Sequence, residues 1–283
     1  MDIRLSAASR SNLLSLQRTS ELQQTVQNRL ATGLKVSSAL DDPNAFFKAK
    51  GFDSKAKDLS NLLSDMNQAV QTIKAADNGI KAIEGLLEQA KAKASQASAS
   101  SNDAEREAYR VEFEAVLDQI ETVARDSGYN GTNLLANAAG TTGETLRVQF
   151  NEDNTSSITV TGADFDTSTQ AGAGNLALTT TASGDWTVAN QANVDTALTE
   201  LSTAFSTVRT KASSFATSLS VVQSRIDFTE DAINNLREGS GKLVLADQNE
   251  EGANLLALQT RQQLGTTALS LTAQAEQGVL RLF

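Results

Sequence analysis

Twelve apolar residues, alternately three and four apart, constrain this chain more than any other feature. They are Leu59, Leu62, Met66, Ala69, Ile73, Ala76, Ile80, Ile83, Leu87, Ala90, Ala94 and Ala97. Such spacing marks a narrow stripe on a long helix that needs an equally long partner. At 1.5 Å per residue, the ladder predicts a helix of roughly 60 Å. Large side chains give way to alanine towards its C-terminal end, so the partner should approach more closely there. The one proline, Pro43, lies outside the ladder and breaks nothing within it.

A second ladder keeps the same rhythm through Val194, Leu198, Leu201, Phe205, Val208, Ala212, Phe215, Leu219, Val222, Ile226, Thr229, Ile233 and Leu236. Only Thr229 departs from the apolar rule. A shorter one, Tyr109, Phe113, Val116, Ile120 and Val123, opens after Asn102-Asp103, which can cap a helix start. It closes at Ser127-Gly128, a plausible stop. Three stripes that cannot be buried alone are best satisfied by a mainly α fold, a long antiparallel helical bundle with coiled-coil-like heptads.

The segment between the long ladders reads differently. Residues 141–190 hold twelve threonines, five glycines and a single basic residue, Arg147. Leu146–Phe150 and Ser157–Thr161 are β-like runs joined by the turn-rich Asn151-Glu152-Asp153-Asn154, so a hairpin is expected. The segment is too short and polar for a core of its own, and reads as a small β-rich excursion at the far end of the bundle.

Both chain ends are amphipathic and helix-compatible, with seams interrupted by Gln, Thr and Ser. Neither end would be stable alone as a helix in water. Apolar ends of this kind point to folding upon assembly, with the N- and C-terminal helices paired. Pro43 is expected to end the first segment, and Gly239-Ser240-Gly241 to do the same on the return. The resulting organisation is 1–42, an inner N-terminal helix; 43–140, the first bundle part; 141–190, the β-rich segment; 191–241, the long return helix; and 242–283, the inner C-terminal helix.

Composition then excludes chemistry. With no cysteine and no histidine, the chain offers no thiol nucleophile, disulfide, imidazole base or ordinary zinc site. Asp103, Glu105, Glu107, Glu112 and Glu114 read as a solvated helix face rather than catalytic carboxylates, since no base or ligand pattern accompanies them. No enzyme activity, catalytic residue, metal or cofactor is expected. A net charge of −10, concentrated between residues 41 and 249, disfavours nucleic acid. The first thirty residues hold no apolar run longer than Leu13-Leu14, so neither a secretory signal nor membrane insertion is expected.

Several stretches together resemble bacterial flagellins, most closely those of Alphaproteobacteria. Arg29-Leu30-Ala31-Thr32-Gly33-Leu34-Lys35-Val36-Ser37-Ser38-Ala39-Leu40-Asp41-Asp42-Pro43 is similar to the family's RLSSGLRINSAKDDAA stretch. Leu219–Arg225 resembles its LGAxQNR motif, and Gly128–Leu135 its FNGxxLL turn. The last 28 residues, LALQTRQQLGTTALSLTAQAEQGVLRLF, resemble its C-terminal signature. The resemblance implies a structural subunit exported uncleaved by the flagellar type III apparatus, which self-assembles outside the cell into the filament that drives swimming. Its partners would be other copies of itself or of related flagellins, the export apparatus and chaperone, and the cap and junction proteins.

Leu16, Val26 and Leu30 against Leu258, Leu269 and Val279 are the residues expected to carry the terminal coiled coil. The stretch Leu87–Gln96 matches the family's animal-receptor motif, with Gln89 and Lys93 where the family usually has an arginine and a leucine, and with Glu112 as the retained acid. Weak or absent receptor recognition is implied, because a bidentate donor is lost and a charge enters an apolar contact. Two alternatives stand beside the filament subunit: the hook–filament junction protein, and a cell-surface binding module on the same scaffold. The intact C-terminal signature ending in Leu282-Phe283 favours the filament subunit.

Overall fold

The computed structural model describes residues 7–136, 144–165, 176, 178 and 185–280, with side chains at the two ends from Arg10 to Ala275. Its elements are α1 (Ala7–Thr32), α2 (Pro43–Ala99), α3 (Asp103–Asp126), β1 (Thr145–Gln149), β2 (Ser157–Thr161), a short 3-10 turn (Val188–Asn190), α4 (Gln191–Val244) and α5 (Gln248–Leu280). The fold is mainly α, as the ladders require. The chain forms two compact units: Met1–Ala56 with Asn234–Phe283, and Lys57–Ile233.

Lys57–Ile233 is built on the ladders. Eleven of the twelve positions of the first are buried, and Leu62 is partly buried against the same core. α4 supplies Val194, Leu201, Val208, Phe215 and Val222 from the second ladder, with Ala197 and Ala204 filling between them. Gln191 of α4 donates to Ser98 of α2 at 3.0 Å, and further along Arg209 reaches Glu84 at 3.7 Å, so the two helices run antiparallel. α3 returns along α2 in the same sense. It starts at the Asn102 cap, whose side chain accepts from Ala104 N–H, and stops at Ser127.

The hairpin forms as the alternation predicts. β1 and β2 are antiparallel, with Leu146 opposite Val160 and Val148 opposite Ile158. The turn is tied by Asn151, whose Oδ1 accepts from Ser156 N–H at 3.0 Å. Rather than standing clear of the bundle, this region sends Val148, Phe150, Val160, Phe165, Leu176, Leu178 and Trp186 into the helical core. Most of 166–184 lies outside the described residues.

Two stops differ from the sequence expectation. α1 ends at Thr32 because Gly33 adopts φ +70° and its N–H bonds back to Arg29 C=O at 2.8 Å, a left-handed cap suited to glycine. Pro43 therefore opens α2, where its missing N–H costs nothing, instead of closing α1. Gly239-Ser240-Gly241 does not stop α4, which continues to Val244. Each glycine costs only about 1 kcal/mol relative to alanine in a helix. Small residues are also useful there, since Ser240 is buried with its Oγ donating to Ala49 C=O at 3.4 Å, and a Cβ on Gly239 would touch the Phe52 ring at 3.5 Å.

Gly79 of α2 leaves no space for a side chain. A Cβ there would lie 2.6 Å from Ser127 Cβ and 2.7 Å from Leu135 Cδ1, whereas a Cβ on Gly85 meets nothing within 4 Å. Gly79→Ala is therefore expected to destabilise the monomer by about 1–3 kcal/mol through overpacking, outweighing its better helix propensity. Gly85→Ala on the same helix should stabilise by up to about 1 kcal/mol. Paired thermal melts followed at 222 nm check this, and shifts of the same sign would contradict it.

Candidate assembly surfaces

The unit formed by the chain ends is organised by a two-helix seam. Leu16 of α1 faces Gly265 of α5, and Arg29 faces Glu251, so the helices are antiparallel. On α1 the covered positions include Asn12, Leu16, Thr19, Gln23, Val26 and Leu30, with Ser20 and Arg29 beside them, and on α5 they include Leu255, Leu258, Gln262, Gly265, Leu269 and Thr272, with Glu251 and Gly252 in the first turn. Each set keeps three–four spacing, which makes this a coiled coil. Val26 and Leu258 are buried, while Leu16, Leu30 and Leu269 are half-buried. Val279 belongs to α5, but its side chain lies outside the described residues.

One narrow seam leaves the other apolar residues outside. Leu13, Leu14 and Leu22 of α1 and Leu256, Leu264 and Leu271 of α5 are all exposed, the last three by 62–66%. Scattered surface leucines are ordinary, but six on one slender helix pair form unpartnered apolar stripes. Covering a leucine is worth about 1.5–3 kcal/mol, so these six represent on the order of 10 kcal/mol of gross association energy.

Where the ends leave the coiled coil they are tied together. Leu34 and Leu245 form an antiparallel bridge, Lys35 N–H donates to Val244 C=O at 2.7 Å, and Ala246 N–H donates to Gly33 C=O at 3.0 Å. Arg29 Nη1 meets Glu251 Oε1 at 2.9 Å, with the glutamate almost fully buried in the first turn of α5. An acid is favourably placed there, next to the positive end of the helix dipole. Asp247 caps the same turn by accepting from Asn249 and Glu250 N–H.

Comparison with known proteins finds matches in both the N-terminal and the C-terminal parts of the chain. Residues 3–139 match the bacterial flagellin N-terminal helical region, and residues 191–283 match the bacterial flagellin C-terminal helical region. The chain belongs to the bacterial flagellin family. Flagellin FljM of Caulobacter vibrioides is 34% identical over 166 residues, 59% of this chain and 55% of that protein. Flagellin A of Rhizobium meliloti is 44% identical over 96 residues, 32% of this chain and 22% of that protein. The flagellin of Brucella melitensis is 29% identical over 174 residues, 60% and 59% of the two chains. This flagellin thus spans about half the length of its Caulobacter relative. The crystal structure of Bacillus cereus flagellin superposes with a TM-score of 0.47 at 17% identity, covering 58% of this chain and 88% of that one.

Gln89, Lys93 and Glu112, the three positions expected to match the receptor motif, lie on α2 and α3. Lys93 forms an ion pair with Glu112, and its ammonium also sits 5.9 Å from the Tyr109 ring centroid. Gln89 is exposed one turn earlier on α2. Glu112 is therefore engaged by Lys93. Four other α3 acids also have partners. Glu107 and Glu114 flank Arg110, Glu105 accepts from Ser100 Oγ at 2.8 Å, and Asp103 accepts from Val188 N–H at 2.6 Å. The hydrogen bond from Arg110 holds the Glu107 carboxyl below its ordinary range, and the same bond raises the guanidinium further.

Two residues of structural weight escaped the sequence reading. Arg106 is 2% exposed, and its guanidinium donates to Trp186 C=O at 2.6 Å, Ser100 C=O at 3.2 Å and Gln191 Oε1 at 2.7 Å. Trp186 is fully buried, its ring 5.0 Å from that of Phe113. Among the described residues, no group of three Asp or Glu is placed to hold a metal, and no helix is long and apolar enough to cross a membrane.

Proposed function

We propose that this chain is the structural subunit of a flagellar filament, exported uncleaved by the flagellar type III apparatus and polymerising outside the cell. The observation that carries the reading is the outward leucine set of the terminal helix pair, which the monomer leaves in water. Stacking copies covers those stripes, and repetition of a contact between unlike surfaces yields an open helical polymer. Its partners are copies of itself and related flagellins, with the export apparatus, a chaperone, the cap and the junction proteins acting during delivery. The subunit carries load and catalyses nothing.

Shearing appendages from the native cells, followed by negative-stain microscopy and mass spectrometry, tests this reading. Dominance of this chain in the filaments by mass is the expected result. A trace amount would assign it to the hook–filament junction, and recovery from the envelope without filaments would make it a surface-binding module.

Weak animal-receptor activation belongs to the same proposal. Gln89 lacks a guanidinium fork, and Lys93 both places a charge in the patch and occupies Glu112. A reporter-cell dose response should be shifted at least about tenfold to higher concentration relative to a strongly stimulating flagellin, the loss of one charge-assisted hydrogen bond. Equal potency would refute it.

A further inference from the structure

The chain contains two Asn-Gly pairs, Asn78-Gly79 and Asn130-Gly131, and the fold treats them in opposite ways. An asparagine followed by glycine is open to self-attack, because glycine has no side chain to shield its amide nitrogen and moves freely. In that reaction the glycine nitrogen gives up its proton and bonds to Cγ of the asparagine, while the Cγ–Nδ2 bond breaks and ammonia leaves. Water then opens the cyclic imide. Opening at one carbonyl gives aspartate, and at the other isoaspartate, whose backbone is one methylene longer. Water is the only co-reactant. In a folded chain the glycine N–H must be free, the segment must have room to turn, and its surroundings must let it open.

Asn78-Gly79 meets none of these conditions. It lies in the interior of α2, where the Gly79 N–H is held in the helix ladder. Gly79 is buried, with Ser127 and Leu135 filling the space beside it. Freeing its nitrogen means unwinding a core helix of the bundle, at a cost approaching that of global unfolding.

Asn130-Gly131 is the loop of a tight turn at the surface. Tyr129 N–H donates to Thr132 C=O at 2.9 Å, and Thr132 N–H donates to Tyr129 C=O at 3.0 Å. Asn130 has φ +50° and Gly131 φ +83°, the two left-handed angles that a type I′ turn requires. Both residues are exposed, and a Cβ on Gly131 would meet nothing within 4 Å. Neither the Gly131 N–H nor the Asn130 side chain has a hydrogen-bond partner among the described residues. Asn130 also borders an open hollow of about 370 Å³, shared with Gln68, Thr72 and Arg147, which gives the turn room to move. A surface turn closed by two backbone bonds opens locally at low cost.

We propose that Asn130 is a site of spontaneous modification, converting to aspartate and isoaspartate in the folded protein while Asn78 keeps its amide. Ammonia is lost for good, so the converted fraction marks the age of a chain. The change also reaches the bundle. The extra methylene of isoaspartate puts Tyr129 and Thr132 out of register, and the next residue, Asn133, closes α3 by donating Nδ2–H to Ala124 and Arg125 C=O, both at 2.9 Å.

Purified folded protein, held for weeks at mildly alkaline pH to favour loss of the amide proton, is sampled by peptide mass mapping. Cleavage after lysine and arginine separates residues 75–81 from residues 126–147, so each pair is read on its own peptide. Acid and its isoaspartyl isomer should accumulate at Asn130 at least about tenfold faster than at Asn78. The same incubation in denaturant should bring the two rates together, because the helix then protects nothing. Equal survival of both amides in the folded protein would overturn the proposal. A rate difference that persists in denaturant would overturn it as well, since the fold would not be its cause. The isoaspartyl form, isolated by ion exchange, should exchange the Tyr129 and Thr132 amide hydrogens at least about tenfold faster than the parent. Unchanged exchange there would overturn the link to the bundle.

Discussion

Leu269→Asp is expected to abolish filament formation while Lys57–Ile233 stays folded. Leu269 sits half-buried on the α5 side of the terminal seam, in a coiled coil that has little to spare. Its covered positions include Asn12, Thr19, Gln23, Gln262 and Thr272, so the pair depends on few apolar contacts. A carboxylate in that line loses a leucine's burial and adds a desolvation cost, together several kcal/mol. Among the described residues, the bundle core contains none from α5, so it should keep its melting temperature. Sedimentation and negative-stain microscopy would show no polymer, and a melt at 222 nm would retain the bundle transition.

A companion substitution separates pairing from stacking. Leu264 points away from the seam and is 65% exposed, so Leu264→Asp should leave the α1–α5 pair folded in the monomer and still block polymerisation. Filaments of normal length and yield from Leu269→Asp would remove the terminal coiled coil from the assembly mechanism. Normal filaments from Leu264→Asp alone would place the subunit contacts elsewhere.

The contrast between the two units explains what could be read from the letters alone. In Lys57–Ile233 the first ladder is uninterrupted and its period matches the helix, so burial follows it almost residue by residue, while the second alternates buried Val194, Leu201, Val208, Phe215 and Val222 with the partly buried Leu198, Phe205, Ala212, Leu219 and Ile226. Helix ends were less legible. Stopping α1 at Gly33 depends on one left-handed backbone angle, while carrying α4 through Gly239-Ser240-Gly241 depends on packing against Ala49 and Phe52. Glycine is compatible with both outcomes, and only tertiary contact chooses between them. At the terminal pair, each helix has more leucines than one seam can cover, so pattern alone could not say which face inward.

Arg106 carries the largest stability prediction, and its signal lies in the ladder of α3. Extending the α3 ladder one step back from Tyr109 lands on Arg106, a heptad position and therefore a buried one. A charge at such a position reads as the edge of the stripe unless its acceptors are known, and two of them lie 80 and 85 residues away in sequence. Arg106→Ala would leave the carbonyls of Trp186 and Ser100 without their donor and open a void against the buried indole. Each orphaned buried acceptor costs about 1–3 kcal/mol, and the cavity adds to this. A total near 4 kcal/mol should lower the monomer melting temperature by roughly 10 °C. Arg106→Met preserves most of the volume and removes every donor, so it isolates the hydrogen bonds and should recover less than half of the loss. Gln191→Ala removes one acceptor and should cost only about 1 kcal/mol. If Arg106→Met instead melts with the wild type, the guanidinium bonds contribute nothing net, and the side chain matters only for the space it fills.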